Sequence, residues 1–291
     1  MKVGIVGLGL IGGSLGIDLR QQGYEVYGVS RRQTTCDVAI ERGICERAST
    51  ELSSLAKADI IILCTPIAYI APTLEQLVPY LQPETIVTDV GSVKQPIVEE
   101  CSQLWHNFIG GHPMAGTSEQ GINAAIPNLF QGAAYVFTPS SELTNSEPIN
   151  TEPNNLESSL EPLQKLARDL GAVPYICQPE VHDRAVAWIS HLPVMVSGSL
   201  VAACLGEESA EVLNLAQHLA SSGFRDTSRV GAGNPELGKM MAQYNQSALL
   251  RSLYAYRTSL DGMIKHVEQA DWDSLGQILQ TNQQARPKFL N

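Results

Sequence analysis

The chain has 291 residues, 44% of them hydrophobic and 17% charged, with a formal net charge of -11. That length carries a sizeable core and favours two domains over one. The acidic balance argues against a nucleic-acid partner or an anionic membrane surface, both of which demand a basic face, and leaves room for local basic pockets that hold anionic small molecules.

From the N-terminus, Lys2-Val3-Gly4-Ile5-Val6 reads as a buried strand and runs into Gly7-Leu8-Gly9-Leu10-Ile11-Gly12, followed by a helical pattern over residues 11–19. In that spacing Gly7 permits the turn after the strand, Gly9 lets backbone approach a pyrophosphate, and Gly12 lets the helix pack closely. The pyrophosphate would sit on the helix N-terminus, where unpaired N–H groups favour negative charge. Residues 24–29 predict a second strand and complete the unit, so residues 7–12, Gly7, Leu8, Gly9, Leu10, Ile11 and Gly12, are expected to line a dinucleotide. A first strand at residue 2 leaves no room for a targeting segment before it, which predicts a cytoplasmic protein. Six scattered cysteines without a C-x-x-C pair are expected to be buried, reduced thiols, and no metal site is expected.

The second strand ends in Val29-Ser30-Arg31-Arg32, with no acid where an NAD-binding sheet holds the ribose 2′-hydroxyl. Ser30 can hydrogen-bond a 2′-phosphate, and Arg31, with Arg32 beside it, offers a planar charged fork suited to one. The expected cofactor is NADP.

Further strands are predicted over residues 58–64, 85–89, 108–110 and 133–137, most of them separated by amphipathic helical segments. The fold class that follows is α/β: an N-terminal Rossmann-type, doubly wound, mostly parallel sheet. Ligands of such sheets sit at the strand ends, where three segments stand out. Cys64-Thr65-Pro66 ends one strand and supplies a hydroxyl. Asp89-Val90-Gly91-Ser92-Val93-Lys94 joins a strand to a helix, with Ser92 expected near the N-cap. Gly110-Gly111-His112-Pro113-Met114-Ala115-Gly116 sets His112 among glycines that admit a ligand, with Pro113 stiffening the presentation, and His112 is expected to be a catalytic base. His106, His182, His218 and His266 lie in polar helical stretches and are expected on the surface.

Residues 139–162 are rich in Ser, Asn, Glu and Pro and predict a mobile surface loop, before a helix at 163–170 and a last strand at 172–177. The nucleotide domain is therefore expected to span 1–178, and 179–291 to form an all-α domain for substrate and dimerisation. Helical spacing recurs over residues 213–219 and 249–264, with more apolar surface than a small isolated domain can bury, which predicts a homodimer. The apolar tract 185–205 contains His191, Pro193 and three serines, and is expected to be a helix buried in a core or a subunit interface, with no membrane partner.

Six segments in chain order carry a family resemblance: residues 7–15 (GLGLIGGSL), 64–66 (CTP), 89–94 (DVGSVK), 110–116 (GGHPMAG), 190–193 (SHLP) and 223–229 (GFRDTSR). Together they resemble the prephenate/arogenate dehydrogenases of tyrosine biosynthesis. The resemblance implies hydride transfer from ring C4 of a cyclohexadienol to the nicotinamide, with loss of CO2 and aromatisation. It implies that His112 accepts the C4 hydroxyl proton, that Ser92 hydrogen-bonds that hydroxyl and helps orient His112, and that Gly91, Cys64, Thr65 and Pro66 border the cofactor. Arg229 matches the position that holds a substrate carboxylate, Arg225 adds positive field, and His191 and Gly233 belong to the substrate pocket. With 291 residues used by two domains, no fused mutase or regulatory domain is expected, and the chain is similar to the compact NADP-linked arogenate dehydrogenases. Small residues at 231–238, Gly238 among them where prephenate-using members carry a bulky aromatic, point to arogenate, with prephenate as the alternative.

Two other classes fit less of the chain. A β-hydroxyacid dehydrogenase needs a helix-borne lysine, and Lys239 and Lys265 lack its G-x-x-x-K setting. A non-enzymatic NADP sensor needs no base, and leaves His112, Ser92 and Arg229 unexplained.

Overall fold

The computed structural model describes residues 1–117, 119–140 and 155–290. Its strands are β1 (Lys2–Val6), β2 (Glu25–Val29), β3 (Arg47–Ser49), β4 (Ile60–Leu63), β5 (Ile86–Asp89), β6 (Phe108–Pro113), β7 (Ala134–Thr138) and β8 (Val173–Ile176). They form one sheet in the order β3-β2-β1-β4-β5-β6-β7-β8, parallel throughout except where β7 runs antiparallel to β6. The helices between them are α1 (Leu10–Gln21), α2 (Gln33–Glu41), α3 (Ile70–Leu77), α4 (Gln95–Leu104) and α5 (Asn155–Asp169). The doubly wound α/β architecture read from the strand and helix alternation is the one the chain adopts.

Both faces of the sheet are covered, which is why its central strands are apolar without alternation. Ile60 and Ile62 of β4 face one core with Val3, Ile5, Leu15, Ile109 and Phe137, while Ile61 and Leu63 face the other with Val6, Leu74, Val87 and Phe108.

Several boundaries differ from the sequence reading. The edge strand β3 was not expected; three half-exposed residues carry no readable period. β6 extends to Pro113 rather than stopping at 110, because Gly110, Gly111, His112 and Pro113 pair with Thr138, Phe137, Val136 and Tyr135 of β7. Tertiary pairing overrides the poor strand propensity of glycine and proline there. The expected loop 139–162 is helical from Asn155, with Pro162 inside the helix. Its polar composition hid a stripe of Leu160, Leu163, Leu166, Ala167 and Leu170 that packs on the sheet. The remainder of that expected loop, 141–154, lies outside the described residues.

After β8 come α6 (Pro179–Val186), one π-helical turn (Ala187–His191), α7 (Leu192–Leu205), α8 (Ala210–Leu219), α9 (Ser222–Ser228) and α10 (Pro235–Tyr244). The rod Pro179–Leu205 is long and apolar enough, by length and composition, to cross a membrane. Core burial, one of the two fates expected for the tract 185–205, holds only for its first part: Val186, Ala187, His191 and Leu192 are buried, whereas beyond them only Ser197 is. By packing, the chain separates into Met1–Asn245 and Gln246–Asn291. The second unit consists of α11 (Gln246–Glu268), α12 (Trp272–Ala285) and a short terminal turn, with Asp271 capping α12 by accepting from the Ser274 N–H. Of the six free cysteines, Cys36, Cys45 and Cys101 are buried, Cys64 and Cys177 half-buried, and Cys204 is exposed, contrary to the expectation of uniform burial.

Candidate functional site

The β1–α1 turn forms as its glycines predict. Gly7 has φ +102°, and a Cβ there would lie 2.6 Å from the Cys64 carbonyl oxygen; a Cβ on Gly12 would run into the Gly7 carbonyl. Nothing lies within 4 Å of the Cβ position of Gly9. No side chain caps α1 and its first turn holds no acid, so its N–H groups are left for an anion, beside Leu8, Leu10 and Ile11. These features fit a dinucleotide. Beyond β2, Ser30 donates its N–H to the Ser49 carbonyl, and Arg32 precedes α2. The exposed Arg31 guanidinium lies 5.9 Å from the centroid of the Tyr69 ring, a cation–π pair that brings the β2 end towards the segment after β4. There Pro66 starts a 3-10 turn, and the buried Thr65 Oγ1 has no hydrogen-bond partner.

At the end of β5 the structure replaces a simple N-cap with a buried charge cluster. Helix α4 begins at Gln95, so Ser92 is not its cap; the Asp183 carboxylate, from α6, caps it instead by accepting from Lys94 N (2.7 Å) and Gln95 N (2.8 Å). Lys94 is fully buried. Its ammonium pairs with Asp89 and donates to the Gly111 carbonyl at 2.8 Å. Asp89 in turn accepts from Gly91 N at 2.8 Å and Gly111 N at 3.0 Å. Burial lowers the Lys94 pKa below its ordinary 10.5, against the attraction of Asp89. Both backbone groups of Gly111 are thus held by one ion pair. A Cβ on Gly111 would sit 2.5 Å from the Asp89 carbonyl oxygen, so this glycine makes room for β5 and not, as the sequence reading supposed, for a ligand.

His112 follows on β6. Its Nδ1 lies 2.8 Å from Nε2 of His182, and His182 Nδ1 lies 2.7 Å from Oδ1 of Asp183. His182 is only 2% exposed, which overturns its expected surface position. His106 and His218 are exposed and His266 half-buried. The polar residues around His182 misled: its neighbours Glu180 and Arg184 face solvent while His182 and Asp183 turn inward, one helical face apart. The Ser92 Oγ is buried without a hydrogen-bond partner, and the side-chain contact of the His112 ring is with His182 Nε2. Burial first, then electrostatic coupling to His182, Lys94 and His191, holds the His112 pKa well below 6.5. The imidazole is therefore neutral at neutral pH, the form a proton acceptor requires.

His191 closes the π-helical turn and is fully buried, its pKa lowered to about 4 by desolvation. Its Nδ1 is 3.1 Å from Asn245 Nδ2, and its Nε2 has no partner. The turn Arg229–Ala232 packs on α7 so tightly that a Cβ on Gly231 would lie 2.6 Å from the Gly198 nitrogen, and Ser197 Oγ donates to the Thr227 carbonyl at 2.6 Å. Arg229 on that turn is exposed and makes no hydrogen bond or ion pair among the described residues. Arg225 is exposed and pairs with Asp226 at 3.2 Å, and Gly233 is exposed. The Cβ position of Gly238 is 3.8 Å from a Val194 side-chain carbon, an ordinary van der Waals contact. The structure brings together His112, His182, Asp183, Lys94 and Asp89; no hydrogen bond or ion pair joins Arg229 or Arg225 to that cluster among the described residues.

Residues 15–159 match the family model of the prephenate dehydrogenase nucleotide-binding domain, and residues 178–281 that of the prephenate dehydrogenase dimerization domain. A prephenate dehydrogenase of Lactococcus lactis is 30% identical over 98% of this chain and 76% of its own length. A solved arogenate dehydrogenase of Synechocystis is 53% identical with TM-score 0.88, covering 99% of this chain and 100% of its own. A prephenate dehydrogenase from A. aeolicus, solved with hydroxyphenyl propionate and NAD+, shares the fold with TM-score 0.88 at 24% identity, over 99% of this chain and 98% of its own.

Proposed function

Because the chain belongs to the prephenate dehydrogenase family, we propose that it oxidatively decarboxylates arogenate to tyrosine with NADP as the hydride acceptor. The observation that carries this reading is His112, a buried neutral imidazole at the ligand edge of a nucleotide-binding sheet. The arogenate half rests on 53% identity over 99% of the chain to an arogenate dehydrogenase and on the small residue Gly238 where a bulky aromatic would otherwise stand. The NADP half rests on Ser30 and Arg31 in place of an acid, with Arg32 adjacent. When bound, the nicotinamide supplies the acceptor for the hydride of ring C4.

The chain's own residues do the rest. His112 takes the C4 hydroxyl proton as the hydride leaves; the departing ring carboxylate leaves its bond pair in the ring as CO2, and His112 returns the proton to the phenolate. Ser92 Oγ and Thr65 Oγ1, both buried without partners, supply hydrogen bonds to the hydroxyl and the nicotinamide side. Arg229 clamps a substrate carboxylate, with Arg225 adding field, and His191 and Gly233 border the side chain. Aromatisation drives the step, so alignment and a correctly placed base suffice.

Residues 179–291 serve substrate binding and dimerisation. The match of 178–281 to a dimerization domain and the exposed Leu205, Leu215 and Leu219 support a homodimer. Six free thiols fit a cytoplasmic enzyme. Arogenate or prephenate is offered with NADP or NAD, and reduced nicotinamide is followed by absorbance. Arogenate with NADP is expected to be fastest; faster turnover of prephenate overturns the substrate assignment, and faster turnover with NAD overturns the cofactor assignment.

A further inference from the structure

Asp183 reaches two histidines by two different routes. Its side chain accepts from His182 Nδ1 (2.7 Å), Lys94 N (2.7 Å) and Gln95 N (2.8 Å). Its backbone carbonyl accepts from Asn245 Nδ2 at 2.8 Å, and the same amide nitrogen lies 3.1 Å from His191 Nδ1. Asp183, His182, Asn245 and His191 are all buried, so no water competes for these bonds.

For neutral imidazoles the donor and acceptor roles follow from the partners. An ionised carboxylate only accepts, so His182 carries its proton on Nδ1 and presents a lone pair at Nε2. His112, 2.8 Å away, then carries its proton on Nδ1 and keeps a lone pair at Nε2. Along the second route, a backbone carbonyl also only accepts, which identifies the Asn245 atom facing it as the NH2 nitrogen. That nitrogen donates to His191 Nδ1, so neutral His191 carries its proton on Nε2, the buried atom without a partner.

We propose that Asp183 sets the tautomers of both histidines in opposite senses: through His182 it makes His112 Nε2 a proton acceptor, and through Asn245 it makes His191 Nε2 a hydrogen-bond donor aimed at a substrate oxygen. His182, Asp183 and Asn245 are positioning residues. The assignment rests on the reading of His112 as the base. The other charged groups facing the cluster are Lys94, at the start of α4, and Asp89, at the end of β5; their mutual ion pair leaves the Asp183 carboxylate as the acceptor for His182. The arrangement places one acceptor and one donor of the same residue type around one reaction, which neither histidine could ensure alone.

The test begins with the whole protein labelled with 15N in its histidine rings, at about pH 7.5, with signals assigned by H112Q, H182Q and H191Q. His112 and His182 are expected to show protonated Nδ1 and bare Nε2, and His191 the reverse. A protonated Nε2 on neutral His112, or a protonated Nδ1 on His191, overturns the proposal, whatever substrate the enzyme uses. Turnover supplies the second arm. H182L, which has no acceptor, is expected to lower kcat roughly 10- to 100-fold with KM and cofactor affinity nearly unchanged, and H182Q, whose amide oxygen can accept from His112 Nδ1, to recover most of it. Wild-type kcat in H182L, or no recovery in an equally stable H182Q, also overturns it. Failure of the proposed reaction appears separately, as absence of turnover in the wild type with the tautomers intact.

Discussion

Replacing Lys94 by Met removes one half of an ion pair whose side chains are both 0% exposed. The Asp89 carboxylate keeps its bonds from Gly91 N and Gly111 N, but its charge is no longer balanced, and the Gly111 carbonyl loses the donor at 2.8 Å. An orphaned buried charge costs about 3–5 kcal/mol, and Met fills the volume without repaying it. Against a typical total of about 5–15 kcal/mol this is a large fraction of the stability. Urea unfolding followed by tryptophan fluorescence should move its midpoint down by about 1–2 M, for a slope near the upper end of the range of about 1–3 kcal/mol per M. Protonating the orphaned Asp89 carboxyl relieves the buried charge, so the folded variant takes up a proton that the unfolded chain binds less readily. The deficit relative to wild type should therefore shrink as pH falls from about 7.5 to about 5. A deficit under about 1 kcal/mol at neutral pH, or one that does not change with pH, would refute the claim that this pair pins β6 beside His112.

H112N should lower kcat by roughly 10²–10⁴-fold while nucleotide affinity, measured by calorimetry, stays near wild type; because the wild-type imidazole titrates well below 6.5, kcat/KM should be level from about pH 6.5 upward and fall only on the acid side. A basic limb near pH 6.5 or residual turnover close to wild type excludes His112 as the base. R229Q should raise KM about tenfold or more with little change in cofactor affinity, and an unchanged KM removes Arg229 from the carboxylate clamp. R31D should weaken NADP relative to NAD in the ratio of kcat/KM, through loss of the guanidinium and repulsion of the 2′-phosphate; an unaltered ratio returns Arg31 to its stacking role on Tyr69. His191 is held neutral with a pKa of about 4, so the unfolded chain binds a proton there more readily between about pH 6.5 and 4, and stability present above pH 6.5 is lost as pH falls through that window. H191Q should flatten this loss in urea titrations, and an identical acid slope in wild type and variant would show that His191 does not contribute.

The sequence by itself determined what short-range chemistry controls. Gly7 needs a positive φ and Gly12 a close approach to the first turn, so the cradle was legible from spacing alone. The buried central strand β4 was legible because it is covered on both faces and reads as a continuous apolar run. His112 stood out because glycine and proline flank it. The tertiary structure decided what depends on segments distant in sequence. His182 meets His112 across 70 residues, and Asp183 caps a helix that starts 88 residues before it; their polar helical context resembles any solvated face until α6 is docked. Gly111 and Lys94 could not be read as partners, because nothing local says that a lysine will be buried or that a glycine makes way for a neighbouring strand. A side chain's neighbours along the chain fix its backbone conformation, whereas its protonation and orientation are fixed by whatever packing brings against it, and that decides which nitrogen of each histidine faces the substrate.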